Sequence, residues 1–252
     1  MFSMNFDPVF FRIFGVEVRY YGLVYIFGIL LTYYFLRRKK ILDDDELDKL
    51  MLYLVVGMFI GARLLGVMSQ DFFVLFENPL EFFMIWHGGM SFFGGFLGGF
   101  LGSYLVLKKK QKLMRVADLI TLPLTFSLFL GRIANFVNQE LIGTATDARW
   151  CFNFSTAIGC RHPYQIYAAF SHLLLFGFLL FLSQRNYRRG EIFWSFVAGY
   201  GLLRFLTDFF RENPRIFGLT GWQWLSILFF AVGVFYLYKA KKDNNTNEEI
   251  TI

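Results

Sequence analysis

The stretch LITLPLTFSLFL at residues 119–130 carries no charge, and the polar stretch GRIANFVNQELIG at residues 131–143 follows it directly. Other apolar runs of about 20 residues recur along the 252-residue chain, and this length crosses the hydrocarbon layer of a bilayer. The chain is 56% hydrophobic and 17% charged. Lipid cannot satisfy open backbone groups, so spans of this kind are helical. The sequence therefore predicts an all-α, polytopic membrane protein.

Seven transmembrane helices fit the apolar runs. Their approximate bounds are residues 20–36, 50–69, 82–106, 116–136, 164–183, 191–211 and 222–238. The first 19 residues lack the basic start and clean apolar block of a signal peptide, so we expect a short N-terminal segment at the membrane surface. We expect one membrane domain over residues 1–240 with an outer loop at 137–163, and a disordered cytoplasmic tail at 241–252.

Four basic clusters follow apolar runs. They are RRKK (37–40), KKKQK (108–112), RNYRR (185–189) and KAKK (239–242). Lysine and arginine accumulate in cytoplasmic loops, so this pattern predicts an outer N-terminus and an inner C-terminus. The net charge of +6 arises from these clusters, and membrane topology explains their positions. We therefore expect no nucleic-acid partner.

Charged and amide side chains fall in the outer half of several predicted spans. They are Arg63 in the second span, Arg132 and Asn135 in the fourth, and Arg204, Asp208 and Arg211 in the sixth. The i, i+4, i+7 spacing of the last three places them on one helix face. A charge at mid-bilayer costs at least about 2.5–3.5 kcal/mol on insertion scales, so it faces a cavity or a partner. Arg204 and Asp208 can pair, but the excess of arginine predicts an anionic ligand such as a phospholipid headgroup.

The stretch HGGMSFFGGFLGGFLGS at residues 87–103 contains a row of glycines four residues apart, Gly94, Gly98 and Gly102. Small residues at this spacing let membrane helices approach closely, so we expect helix packing there. Gly88 and Gly89 precede the row and suit a bent or unwound helix start that lines a cavity.

The outer loop contains both cysteines of the chain, Cys151 and Cys160. Disulfides form outside the cytoplasm, so these cysteines can be bridged there. The sequence leaves open whether they form a disulfide or remain free thiols. Two cysteines and the nearby His162 fall short of a closed zinc shell, so we expect no metal site.

These stretches together resemble the prolipoprotein diacylglyceryl transferase family along nearly the whole chain. The resembling segments are YYGLVY (20–25), GGMSF (88–92), GRIANFVNQELIG (131–143), RHPYQIY (161–167), GYGLLRFLTDFFRE (199–212) and GLTGWQWLSI (218–227). The resemblance implies transfer of the sn-1,2-diacylglyceryl group from phosphatidylglycerol, or a related anionic phospholipid, to the lipobox cysteine thiol of a preprolipoprotein. It also implies a cell-membrane enzyme without a cofactor, whose active site faces the outer leaflet.

Candidate residues follow from the motif positions and, for Arg63, from its depth in the membrane. The catalytic candidates are Tyr21, Arg132, Glu140 and Arg204. The substrate-binding candidates are Arg63, Arg132, Asn135, Gly143, His162, Arg204 and Asp208. The resemblance implies that Arg132 and Arg204 hold the lipid phosphate, where fixed positive groups stabilise the charge that a leaving phosphate gains.

One departure from the family pattern concerns proton transfer. Phe93 stands where members of the family commonly have a histidine that is proposed as the base. Glu140 is one alternative base, and thiol ionisation driven by the arginines is another. The same departure leaves open a second function, a divergent membrane protein that binds or moves phospholipid without chemistry.

Overall fold

The computed structural model describes residues 2–3, 9–13, 16–69, 73–84, 89–108 and 110–242. Its helices are α1 Tyr20–Lys39, α2 Asp44–Met68, α3 Val74–Glu77, α4 Phe92–Leu107, α5 Lys110–Val137, α6 Tyr164–Ser183, α7 Glu191–Thr207 and α8 Gly221–Lys242. All of them except the four-residue α3 overlap a predicted span. Residues 243–252 of the predicted tail lie outside the described residues.

Four helical segments within the described residues are long and apolar enough to cross a membrane. They are Asp44–Met68, Lys112–Val137, Tyr164–Ser183 and Gly221–Ala240. The helix α4 is apolar but has only 16 residues. The mostly helical, multi-pass character of the chain is thereby confirmed, by length and composition.

Two of the predicted spans are shorter than expected. The third was predicted over 82–106, but a 3₁₀ helix occupies Pro79–Phe83 and α4 begins only at Phe92. The sixth was predicted over 191–211, but α7 ends at Thr207 and a 3₁₀ turn follows at Asp208–Phe210. Arg211 is extended and forms a β-bridge with Gly143, so its predicted place on the helix face is wrong.

Short strands accompany the helices. They are β1 Phe2–Ser3, β2 Val9–Ile13, β3 Val16–Arg19, β4 Phe152–Asn153, β5 Cys160–Arg161, β6 Arg215–Ile216 and β7 Leu219–Thr220. The strands β2 and β3 pair antiparallel in the N-terminal segment, β6 pairs with β7, and β1, β4 and β5 form a three-stranded sheet. The disulfide Cys151–Cys160 adjoins β4 and β5, which decides between the two alternatives for these cysteines.

The chain divides into two compact units, with boundaries inside α1 and α5. The inserted unit consists of residues 33–116, and the terminal unit consists of residues 1–32 and 117–252.

In the inserted unit, α2 and α4 pack with their backbones in close approach. A Cβ atom added at Gly94 would fall on the Gly61 carbonyl, and one added at Gly98 would fall on the Gly57 carbonyl. The predicted row of packing glycines is therefore confirmed for these positions, and Gly102 is held in the same way against Tyr53. The helix α2 begins after Asp43, whose carboxylate accepts the Glu46 N–H at 2.8 Å and caps the helix.

In the terminal unit, a buried carboxylate fixes the start of α7. Asp118 on α5 accepts the backbone N–H groups of Gly190 at 2.6 Å and of Phe193 at 2.9 Å. The first N–H groups of a helix lack intrahelical partners and favour negative charge, so Asp118 holds α7 against α5.

The helix α6 separates an exposed apolar face from a buried polar face. Its exposed face carries Phe170, Leu174, Phe178 and Phe181. Its buried residues include Tyr164, Gln165, Ser171 and His172. Apolar side chains that face outward are what a helix surrounded by lipid requires, and the polar groups turned inward form the wall of the site described next.

Candidate active site

The polar stretch that follows the apolar part of α5 forms a short chain of contacts in the terminal unit. Arg132 is 9% exposed and its Nη1 donates to Asn135 Oδ1 at 3.4 Å. Asn135 Nδ2 donates in turn to Glu140 Oε2 at 3.2 Å. The Glu140 backbone is tied down as well, because its carbonyl accepts from Gln165 Nε2 at 2.6 Å. Asn135 therefore links the arginine to the glutamate.

A second buried network surrounds Arg204 on α7. Its Nη1 donates to the Tyr164 hydroxyl at 2.6 Å, and its Nη2 lies 3.5 Å from Asp208 Oδ1 in an ion pair. The other carboxylate oxygen of Asp208 accepts from Thr220 Oγ1 at 2.5 Å. Asp208 is fully buried, so its charge is balanced by Arg204 rather than by water.

Gln223 completes this network from α8. Its Oε1 accepts the Thr220 N–H at 2.9 Å, and its Nε2 donates to the Phe205 carbonyl at 3.2 Å. The structure therefore contains the ion pair of Arg204 with Asp208 that the sequence allowed, and residues of α6, β7 and α8 fix its orientation.

The aromatic rings of Tyr164 and Tyr200 bring the arginines to one place. The guanidinium carbon of Arg211 lies 5.7 Å from the Tyr164 ring centre, and that of Arg204 lies 6.0 Å from it. Arg132 acts electrostatically on the hydroxyl groups of both Tyr164 and Tyr200. Three arginines from α5, α7 and the segment after α7 therefore converge on two buried tyrosines.

Gly143 lies where three backbone segments meet. A Cβ atom there would fall on the carbonyls of His162 and Phe210. The Thr144 N–H donates to the Phe210 carbonyl at 2.9 Å, and the His162 N–H donates to the Thr144 carbonyl at 3.0 Å. No larger residue fits this crossing without displacing the loop that carries Glu140.

His162 lies beside this crossing and is half-buried. Its Nδ1 lies 3.1 Å from the Tyr167 hydroxyl, and its ring packs edge-on against Phe210 at 5.2 Å. The Tyr167 hydroxyl also accepts from Trp150 Nε1 at 2.8 Å. His162 therefore joins the loop to α6 near the arginines.

Two candidates remain, Arg63 and Tyr21. Arg63 belongs to the inserted unit, and the side chain of Tyr21 is not described. The side chain of Arg63 is 3% exposed. Its guanidinium donates to the carbonyls of Phe82 at 3.0 Å and Met84 at 2.8 Å. It also pairs with the Glu81 carboxylate at 3.2 Å. These contacts hold the 3₁₀ segment to α2, and a role of Arg63 in binding substrate stays a prediction. Tyr21 is the second residue of α1, and its side chain is outside the described part of the structure, as is all of Gly88.

Several residues of the site had not been singled out from sequence. Tyr164 and Tyr200 lie inside the stretches RHPYQIY and GYGLLRFLTDFFRE, but nothing in their spacing marks them as partners of arginine. Thr220 and Gln223 are separated from Arg204 by a turn and two strands. Among the buried polar residues of α6, His172 could have been noticed in the sequence, because it is a histidine within an apolar run.

The arrangement is suited to binding an anion. Arg204 Nε is buried and has no hydrogen-bond partner in the described part of the chain, so one donor of the guanidinium remains unused. Planar guanidinium groups bind phosphate oxygens in pairs and gain strength where water is excluded. No group of three or more potential metal ligands occurs among the described residues.

Fold and site together define a multi-pass membrane protein with a buried cluster of arginines that is suited to binding an anion. Comparison with known proteins agrees: the profile described as "Prolipoprotein diacylglyceryl transferase" matches residues 8–239. The chain belongs to the prolipoprotein diacylglyceryl transferase family, and it is therefore an enzyme of the transferase class.

Three relatives illustrate the similarity, and each is named phosphatidylglycerol–prolipoprotein diacylglyceryl transferase. The protein of Geobacter sulfurreducens is 37% identical over 223 residues, covering 85% of this chain and 86% of the relative. That of Idiomarina loihiensis is 35% identical over 249 residues, covering 94% of each chain. That of Campylobacter curvus is 36% identical over 260 residues, covering 95% of this chain and 96% of the relative.

Proposed function

We propose that this protein transfers the diacylglyceryl group of phosphatidylglycerol, or of a related anionic phospholipid, to the cysteine thiol in the lipobox of a preprolipoprotein. The observation that carries the proposal is the convergence of Arg132, Arg204 and Arg211 on Tyr164 and Tyr200 in a buried place. Three positive groups near two carboxylates, those of Asp208 and Glu140, leave an excess of positive charge, which a lipid phosphate neutralises.

The reaction forms a carbon–sulfur bond, breaks a carbon–oxygen bond and removes the proton of the thiol, which ends on the glycerol phosphate or on water. The thiol sulfur attacks the glycerol carbon that carries the phosphate, a thioether forms, and the carbon–oxygen bond to the phosphate breaks. Glycerol phosphate leaves with the electron pair of that bond and gains a negative charge. Arg132 and Arg204 stabilise this developing charge, and they do so without rearrangement because their partners already hold them.

The other candidate residues support these two arginines. Asn135 and Glu140 orient Arg132 and the polar part of the headgroup, and Asp208 orients Arg204. Gly143 permits the close backbone crossing that carries Glu140, and His162 steadies the same loop. Tyr21 and Arg63 are further candidates for contacts with substrate.

Location in the membrane follows from the charge pattern. The protein spans the cell membrane seven times as one membrane domain, with its N-terminus outside and its C-terminus inside. The loop 137–163 and its disulfide then lie outside, where disulfides persist. The arginine site opens toward the outer leaflet, which supplies the lipid.

Incubation of the purified protein with phosphatidylglycerol and a lipobox peptide tests the proposal directly. Mass spectrometry should show a peptide heavier by one diacylglyceryl group, together with an equal amount of released glycerol phosphate. A peptide with serine in place of the lipobox cysteine is the control and should stay unmodified. Folded protein that binds phosphatidylglycerol and leaves the cysteine peptide unchanged would contradict the proposal.

A further inference from the structure

His172 is a buried residue of the terminal unit, and its imidazole takes no part in the hydrogen bonds of the arginine site described above. It lies in the first half of α6 and is 4% exposed. Its Nδ1 atom is buried without a hydrogen-bond partner in the described residues. Buried polar atoms are nearly always hydrogen-bonded, so an unused one next to an active site calls for a functional explanation.

The surroundings of His172 are those of the arginine site. Its ring packs against the Tyr200 ring with centres 5.6 Å apart, and Arg132 acts electrostatically on the Tyr200 hydroxyl. Arg132 and Arg204 are the charged groups that act on the ring, and the Ala168 carbonyl, one helical turn earlier, is the polar backbone group beside it. Nδ1, buried and without a partner in the described residues, is the ring nitrogen that is left to accept a proton.

The position along α6 also fits the substrate. His172 follows Tyr164 by eight residues, which is about 12 Å along a helix, and Tyr164 binds Arg204. His172 is thus farther than the Tyr164–Arg204 contact from the loop 137–163. In a phospholipid the reacting glycerol carbon lies between the phosphate and the acyl chains. Attack in line with the departing phosphate oxygen comes from the side opposite the phosphate, and His172 lies on the side of the Tyr164–Arg204 contact that is away from the loop.

We propose that His172 is the base that accepts the proton of the substrate thiol, a role that rests on the proposed transfer reaction. The proton passes from sulfur to the free ring nitrogen while sulfur attacks the glycerol carbon. The phosphate leaves with the electron pair of the broken carbon–oxygen bond. The positive charge that the imidazole gains is offset by the negative charge that the phosphate gains in the same step. The proton then passes to the glycerol phosphate or to water, which restores the neutral ring.

Other residues are less suited to this role. Glu140 already accepts hydrogen bonds from Asn135 and Asn138, and its carboxylate orients the arginine side of the site. Phe93 has no group that accepts a proton. His162 shares its Nδ1 with the Tyr167 hydroxyl.

The test compares wild type with His172→Gln and His172→Asn, which keep polarity and remove the base. Transfer per folded molecule is measured from about pH 6 to about pH 9, a range that includes the ordinary ionisation of a thiol near 8.5. At neutral pH both variants should be slower by about 100-fold or more, the usual contribution of general base catalysis. Their rates should rise about tenfold per pH unit as the peptide thiol ionises by itself, and the wild-type rate should rise less steeply.

Two further measurements separate a base from a structural residue. The affinity for phosphatidylglycerol in mixed micelles should stay within about twofold of wild type, because a base contributes to the transition state and not to lipid binding. Ser183→Ala is the matched control: Ser183 is a buried polar residue of the same helix, and its loss should leave the transfer rate unchanged.

Several results would overturn the role of His172. They are variants as fast as wild type, variants that lose lipid affinity in proportion to rate, and a wild-type rate that follows thiol ionisation alone over the whole pH range. The last of these needs no variant and applies even if neither variant folds. If the wild-type chain binds lipid and transfers nothing, the proposed function fails first, so the two failures are distinguishable.

Discussion

At the scale of single residues, the site shows how arginines are kept in an apolar protein. Arg204 is held by the phenol of Tyr164 and the carboxylate of Asp208, and Arg132 is held by the amide of Asn135. Neutral partners such as tyrosine and asparagine satisfy donors without cancelling charge. Arg132 therefore keeps its positive charge toward a ligand, and Arg204 is fixed in place by its pairing with Asp208.

Arg132 provides the most direct residue-level prediction. Arg132→Lys keeps the charge but loses the planar fork, and hydrogen bonds to charged groups contribute roughly 1.5–3 kcal/mol. At 1.36 kcal/mol per tenfold, transfer should fall by about 10-fold or more if the loss falls in the transition state. Arg132→Gln should cost more. The measurement is transfer of diacylglyceryl to a lipobox peptide per folded molecule.

Arg149→Gln is the control for this prediction, because Arg149 is exposed in the loop and should matter little. A different result would give Arg132 a structural role. In that case Arg132→Gln would lower the yield of folded protein, while transfer per folded molecule would stay near wild type.

At the scale of elements, close packing and buried polar contacts hold the helices in place. The helices α2 and α4 meet through glycines, since a Cβ atom at either side would fall on a carbonyl of the other helix. The start of α7 is held by Asp118 of α5, and the region after α7 is held by Thr220 and Gln223. In lipid no hydrophobic effect drives helices together, so such contacts carry the association.

The contact between α2 and α4 leads to a prediction with a control one residue away. Gly98→Ala places a methyl group against the Gly57 carbonyl, so the helices must separate. Overpacking of this kind costs about 1–3 kcal/mol, and the melting temperature of the purified protein in detergent should fall. Gly99→Ala should have little effect, because a Cβ there makes ordinary contacts with Leu54 and Met58 at 3.6 and 3.7 Å. Equal melting temperatures for the two variants would refute close backbone packing at Gly98.

At the scale of the whole molecule, lysine and arginine have different distributions. Every lysine lies at a predicted inner position, and the arginines of the site lie on the predicted outer side. Lysine marks orientation because positive loops stay in the cytoplasm. Arginine has a planar donor group that suits phosphate, which is the role that we propose for the arginines of the site.

Topology is the prediction at this scale. In a background without Cys151 and Cys160, Ser3→Cys should react with a membrane-impermeant thiol reagent on intact cells. Asn245→Cys should react only after the cells are permeabilised. The physical reason is the position of the four basic clusters, which place the two ends of the chain on opposite sides. Labelling of both positions in intact cells would contradict the seven-span arrangement.

The amino-acid sequence by itself determined which segments are helical and which residues are polar within them. The apolar run at 164–183 coincides with α6, and the row Gly94, Gly98 and Gly102 predicted a close helix contact that the structure contains. These features depend on the length of apolar runs and on the spacing of small residues. Both are local properties of the chain, and their effect follows from the absence of water in the bilayer.

Only the tertiary structure decided which of these polar residues act together. It joined Arg204 to Tyr164 and Thr220, placed His172 beside Tyr200, turned Arg211 out of the helix, and bridged Cys151 to Cys160. These contacts cross from one helix or loop to another, so they depend on how α6, α7 and α8 pack. A hydrophobic pattern specifies which face of a helix is buried, but it does not specify the residue that the face meets on its neighbour.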